Sequence, residues 1–206
     1  AIGGMAVVAR RRGGTPLLLC ALVAISLLVR TLSTAFLADQ WNPYVTVLPF
    51  GLLVFLAWAM TCGETWALPA AAATASFLAQ THVGFVVLAL PLFVVGAAWL
   101  VVGALRARDG DGTRARLAKV GGATALLLVV LWTPVLADVA NGPPDNLARI
   151  VDWFRDADGG THSLLQGARM LFGQLGGRPE WLVSDRAPLD VSGESAFLYR
   201  APVPWL

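Results

Sequence analysis

Residues 83–105 contain no charged side chain. At about 1.5 Å of rise per residue, such a run wound as a helix is long enough to cross the hydrocarbon layer of a bilayer. In lipid no water is present to satisfy backbone N–H and C=O groups, so the run must close its own hydrogen bonds as a helix. Comparable runs occur at 16–37, interrupted by Arg30, and at 44–62, 65–80 and 120–139. The run at 65–80 is short and alanine-rich, and Gln80-Thr81-His82 leads directly into the next, so the two read as a tight helical hairpin. Composition agrees: 57% of the residues are hydrophobic and 14% charged, against about a quarter charged in soluble domains. The expected fold is all-α, a polytopic transmembrane helical bundle of about five spans within 1–139.

Basic residues orient such a bundle, because loops rich in Lys and Arg stay on the cytoplasmic side. Arg10, Arg11 and Arg12 precede the first run, and Arg106, Arg108, Arg114, Arg116 and Lys119 lie between the fourth and fifth. Four crossings separate the two groups, so both fall on one side. The N-terminus is therefore expected in the cytoplasm of a multi-pass cell-membrane protein. The segments 38–43 and 80–82 face outward, and so does the tail 140–206.

Within that tail, Leu147, Ile150, Val151 and Phe154 recur at i, i+3, i+4 and i+7, the apolar stripe of a short amphipathic helix at 145–156. Asp145 is its expected cap. Leu164, Leu165, Ala168, Leu171, Phe172 and Leu175 repeat the pattern, giving a second amphipathic helix at 163–175. From Arg178 onward the chain is Pro-rich and irregular.

The opening residues, AIGGMAVVARRRGG, do not have the order of a secretory signal, because the basic run follows the apolar residues. They read as the end of an earlier segment, so the chain is expected to be an internal fragment of a longer protein. Cys20 and Cys62 both lie in apolar runs and form neither a disulfide framework nor a metal spacing. No GxGxxG follows a strand, and no Walker A, HExxH or GxSxG motif is present. No basic-aromatic groove for nucleic acid occurs.

The unusual polar residues gather on the outward side. Arg30 lies near the outer end of the first span, and Asp39, Gln40, Trp41 and Asn42 occupy the first outer loop. Gln80 and His82 lie in the second, and Asp138 ends the fifth span. Two readings stand for each. Arg30 snorkels to lipid headgroups or binds a substrate phosphate bidentately. Asp39 caps the following helix, which has Pro43 in its first turn, or makes a catalytic or substrate contact. Trp41 and Tyr44 are interfacial anchors, with sugar stacking the second role for Trp41. Gln80 and Asn42 are candidate neutral partners of a substrate. His82 ends a helix, or carries a proton or holds phosphate. Asp138 is an ordinary end-of-span carboxylate or a pocket residue. His162 is a surface residue of the tail.

The ordered segments DQWNPYVTVLPFGLLVFLAWAM, FLAQTHVGFVVLALPL and LWTPVLADVANGPPDNLARI resemble the middle of bacterial polytopic glycosyltransferases of GT-C architecture. They are similar to actinobacterial members of the protein O-mannosyltransferase and aminoarabinose transferase group. The similarity covers roughly residues 35–155 and rests on the order Trp-Asn-Pro, Gln-Thr-His, Trp-Thr-Pro-x-Leu-x-Asp. It implies a membrane enzyme that moves a sugar from a polyprenyl-phosphate donor, the lipid-linked substrate, to an acceptor at the outer face; no cofactor is assigned. The family's carboxylate lies in a first outer loop with an Asp-Glu segment. That segment has no counterpart here, and Asp39, the lone acid of the loop, is not equated with it, so the catalytic carboxylate is expected upstream of residue 1 or the chain is not an active transferase. A transporter or flippase for a lipid-linked or small polar substrate, and a non-enzymatic membrane scaffold, are the competing readings.

Overall fold

A run of apolar residues becomes a helix in lipid, yet its length and packing depend on which side chains let neighbouring backbones approach. In the computed structural model, residues 1–31, 42–107, 112–142, 145–156 and 165 are described. They form α1 (Ile2–Thr31), α2 (Asn42–Thr61), α3 (Ala67–Thr81), a 3₁₀ turn (Val83–Phe85), α4 (Val86–Arg106), α5 (Thr113–Ala140) and α6 (Asn146–Asp156). No strand occurs among the described residues. Helices α1, α2, α4 and α5 are each long and apolar enough to cross a membrane. The chain is thus an all-α polytopic bundle and a membrane protein.

Helix α1 breaks at Gly13 and Gly14. Gly14 has φ 64° and ψ −157°, a region open essentially to glycine alone. A Cβ on Gly13 would stand 2.5 Å from Leu17 Cβ, so the close turn also requires the first glycine. Beyond the break, Pro16 sits in the first turn of the second piece, where its missing N–H costs little.

The piece before the break, 2–12, falls outside the run expected at 16–37. It is nevertheless packed: Met5, Val8 and Ala9 are 3%, 1% and 0% exposed. Gly4 lies against Leu52 and Met5 against Gly51, while Arg12 reaches Glu64. The register therefore advances in the same direction on both chains, and 2–12 runs parallel to α2. The second piece is exposed along most of its length, with Ala21 buried.

Helix α3 has 15 residues, about 22 Å of rise, and falls below the length of a full crossing. It lies at the centre of the bundle, against α2, α4 and α5. Ala67, Leu68, Ala71, Ala72, Ser76 and Leu78 are all buried. Small side chains let the surrounding backbones come close, the main route to tight packing where lipid removes the hydrophobic drive between helices. The same device joins α4 to α2. Gly96 rests against Met60 and against the Cα of Ala57. Phe50 and Phe85 meet edge to face with centroids 5.5 Å apart. These contacts set α2 and α4 parallel, with α3 returning between them in the chain.

That register places Arg10, Arg11, Arg12, Arg106, Arg114, Arg116 and Lys119 at one end of the bundle. Helix α5 starts there at Thr113, earlier than the apolar run at 120–139. The guanidinium of Arg114 fastens this corner. It donates to the carbonyls of Ala104 (3.1 Å), Leu105 (3.2 Å) and Ala107 (3.4 Å) at the end of α4, where a helix leaves carbonyls without partners.

Candidate functional site

The other end of the bundle holds the finish of α3, the start of α4 and the finish of α5. Gln80 is exposed in the last turn of α3, and its Nε2 donates to the Leu131 carbonyl of α5 at 3.3 Å. One turn earlier on the same face, Ser76 Oγ accepts the indole N–H of Trp132 at 3.1 Å. The partners lie just before Pro134, whose ring has no N–H for the Val130 carbonyl. Thr133 turns its hydroxyl back to the Val129 carbonyl at 2.7 Å in the same stretch. Gln80 and Ser76 thereby tie α3 to the proline-interrupted part of α5.

His82 ends α3 in an extended conformation, φ −151° and ψ 113°. Its backbone N–H still closes on Leu78, and its Nδ1 accepts the Gly84 N–H at 3.1 Å. An imidazole that accepts at Nδ1 carries its neutral-form proton on Nε2. The ring is half-buried and meets Phe85 edge to face, with centroids 5.9 Å apart. His82, Phe85 and Phe50 thus link the end of α3, the start of α4 and the upper half of α2.

Asp138 is half-buried near the end of α5, and its Oδ2 accepts the Asn146 N–H at 2.8 Å. Asp145 Oδ1 accepts the Ala148 N–H at 2.7 Å, the capping geometry expected from the sequence. Two carboxylates therefore satisfy the first amides of α6 and sit where the helix dipole favours negative charge. The role found for Asp138 is to hold α6 onto α5.

Arg30 is exposed in the last turn of α1, about 24 Å of helix away from the glycine break. Asp39, Gln40, Trp41 and the side chain of Asn42 lie outside the described residues, as does the helix expected at 163–175 apart from Leu165. The contacts formed by Gln80, His82 and Asp138 are each made within the protein, and they join α3, α5, α4 and α6 at one end.

A second cluster, absent from the sequence reading, lies at the basic end. Arg12 Nη1 meets Glu64 Oε1 at 3.1 Å, the Trp66 indole donates to Glu64 Oε2 at 2.8 Å, and Arg11 stacks 5.1 Å over the Trp66 ring. The signal was the acid in TCGETW, placed at the end where every other described charge is basic. Among the described residues the buried polar side chains are Thr46, Ser76 and Thr124, all neutral. No group of three or more His, Cys, Asp or Glu side chains that could hold a metal occurs among them, and Cys20 and Cys62 are exposed thiols. No family model, no curated protein and no solved structure matches the chain.

Proposed function

We propose that this chain forms part of a membrane glycosyltransferase that moves a sugar from a polyprenyl-phosphate donor to an acceptor at the outer membrane face. The observation that carries the reading is the placement of His82, Gln80 and Asp138 at the end of the bundle opposite the basic cluster. The ordered Trp-Asn-Pro, Gln-Thr-His and Trp-Thr-Pro segments supply the chemical class. The basic end is cytoplasmic in this reading, and the tail from residue 140 extracytoplasmic.

The transfer needs an acid-base group, a donor set for the leaving phosphate and an apolar path for the lipid. A carboxylate takes the acceptor hydroxyl proton as its oxygen attacks the anomeric carbon. The bond from that carbon to phosphate oxygen breaks, and polyprenyl phosphate leaves with the electron pair. Asp39, the lone acid of the first outer loop by sequence, is this chain's candidate for the first role. Arg30 supports the leaving phosphate through its guanidinium, and the His82 Nε2–H adds a donor. Apolar side chains such as Val87 (74% exposed) and Leu126 (67%) line bundle faces on which a prenyl tail can lie. Among the described residues the buried polar side chains are Thr46, Ser76 and Thr124, whereas ion-coupled transport places ionisable residues along the membrane depth.

The test is transfer from radiolabelled polyprenyl-phosphate sugars, hexoses and pentoses in turn, in membranes containing the protein in its full native length. Protein-dependent loss of label from the lipid fraction is the expected result, and none with any donor overturns the reading. Arg30→Ala should lower the rate at least about tenfold, equivalent to roughly 1.4 kcal/mol of transition-state stabilisation. A smaller loss removes Arg30 from the phosphate role.

A further inference from the structure

Helix α6 leaves Leu147, Ile150 and Val151 of its apolar stripe exposed. Leu147, Ile150 and Val151 are 52%, 40% and 39% exposed, although their spacing puts them on one face. The element α6 packs against is α5, and the join is polar, through the Asp138 carboxylate and the Asn146 N–H. Two observations bear on where this stripe lies. Asp138 belongs to the last turns of α5, a helix long and apolar enough to cross a membrane, and a carboxylate there is expected at the edge of the hydrocarbon layer. Gly142, at φ 85°, turns the chain back so that Asn146 returns to the level of Asp138. Helix α6 therefore begins level with the end of α5, held there by Asp138.

We propose that α6 is an interfacial helix whose Leu147–Ile150–Val151 face is buried in the lipid of the membrane surface, at a depth set by Asp138. The occupant of the face is lipid because the Asp138–Asn146 bond holds the start of α6 level with the last turns of a helix long and apolar enough to cross a membrane. The polar side determines the kind of surface. Arg149 and Arg155 are balanced by Asp152 and Asp156, all exposed, so the helix carries no excess positive charge toward anionic headgroups. Its attachment is by apolar insertion and does not require acidic lipid, unlike that of basic amphipathic helices. This inference does not depend on the glycosyltransferase reading.

The experiment places single cysteines at Leu147, Ile150 and Val151, and at Arg149 and Asp152, in the full-length protein carrying Cys20→Ala and Cys62→Ala. Each is labelled with an environment-sensitive fluorophore after reconstitution into phosphatidylcholine vesicles, with and without phosphatidylglycerol. Labels at 147, 150 and 151 should be quenched by brominated lipid and lie about 5–10 Å below the headgroup plane. Labels at 149 and 152 should be quenched by aqueous iodide, and neither set should change with phosphatidylglycerol. Stripe labels open to iodide overturn the proposal. So do stripe labels shielded from both quenchers, which would place residues 157–206 or a second copy on the face. A shift that requires phosphatidylglycerol overturns the neutral-surface part. Should the cysteine variants fail to insert, photoreactive phosphatidylcholine on the unsubstituted protein reads the same face. Adducts within 146–156 support it, and their absence in a sample where α4 is labelled overturns it.

Discussion

Trp132 donates its indole N–H to the hydroxyl of Ser76 over 3.1 Å, joining α5 to the most enclosed helix of the bundle. The bond is part-buried, and Ser76 itself is 5% exposed. Interhelical hydrogen bonds of this kind contribute about 0.6 kcal/mol on average within membranes, with a ceiling near 1.7 kcal/mol. A double-mutant cycle of Ser76→Ala with Trp132→Phe in detergent unfolding should give a coupling energy in that range. A coupling indistinguishable from zero would mean the two side chains do not interact in the folded bundle.

Glu64 should matter modestly and in a salt-dependent way. The Arg12–Glu64 pair is partly exposed, 29% and 27% at its side chains, so solvent screens much of its attraction. Glu64→Gln is expected to cost about 0.5–1 kcal/mol in low salt. The difference should narrow as ionic strength rises, because the Debye length shrinks to about 3 Å at 1 M. Thermal unfolding across a salt series measures both.

The α2–α4 contact should be intolerant of size. A side chain at Gly96 meets Met60, which is fully buried, and the backbone of Ala57 at 3.5 Å. Gly96→Val is expected to lower stability by about 1–3 kcal/mol, the usual range for overpacking. Adding Met60→Ala should recover part of that loss by vacating the space the valine needs. Unfolding of the two single variants and the double variant in one detergent decides it.

The start of α6 should loosen when either carboxylate is removed. Asp138→Ala and Asp145→Ala each delete an acceptor for a first-turn amide, a change that typically costs about 1 kcal/mol. Amide exchange at residues 146–149 should then rise about fivefold in each variant, while α2 and α3 keep their protection. Hydrogen exchange followed by mass spectrometry reads both regions together.

Much of the bundle was legible in the sequence because hydrocarbon imposes one backbone solution on long apolar runs. The runs at 44–62 and 83–105 correspond closely to α2 and α4 with its leading 3₁₀ turn. Hydropathy does not report helix, however, and the ends show it. Helix α5 extends through Arg114 and Lys119, because nothing in that basic stretch breaks a helix. Residues 2–12 were missed as a packed element since the apolar stretch there is short and closes on three arginines. The i, i+3, i+4 spacing of Met5, Val8 and Ala9 was the available signal.

At the candidate site, the partners of Gln80, Ser76 and Asp138 could not be read in advance. Asp145 was recognisable as a cap because its partner is three residues away. The bonds of Gln80 to Leu131, Ser76 to Trp132 and Asp138 to Asn146 depend on how helices meet or turn back. Such meetings are set by packing between segments, which a local pattern does not contain.

The shortness of α3 has a consequence for biosynthesis. Alanine contributes little to holding a segment in lipid compared with leucine, isoleucine, phenylalanine or valine, and a 15-residue helix has few places to make up the difference. Its retention depends on neighbours that arrive at different times, α2 before it and α4 after it. Commitment to the membrane therefore belongs to the α3–α4 hairpin as a unit. A nascent chain halted before α4 emerges should leave α3 at the surface, with the later topology still undecided.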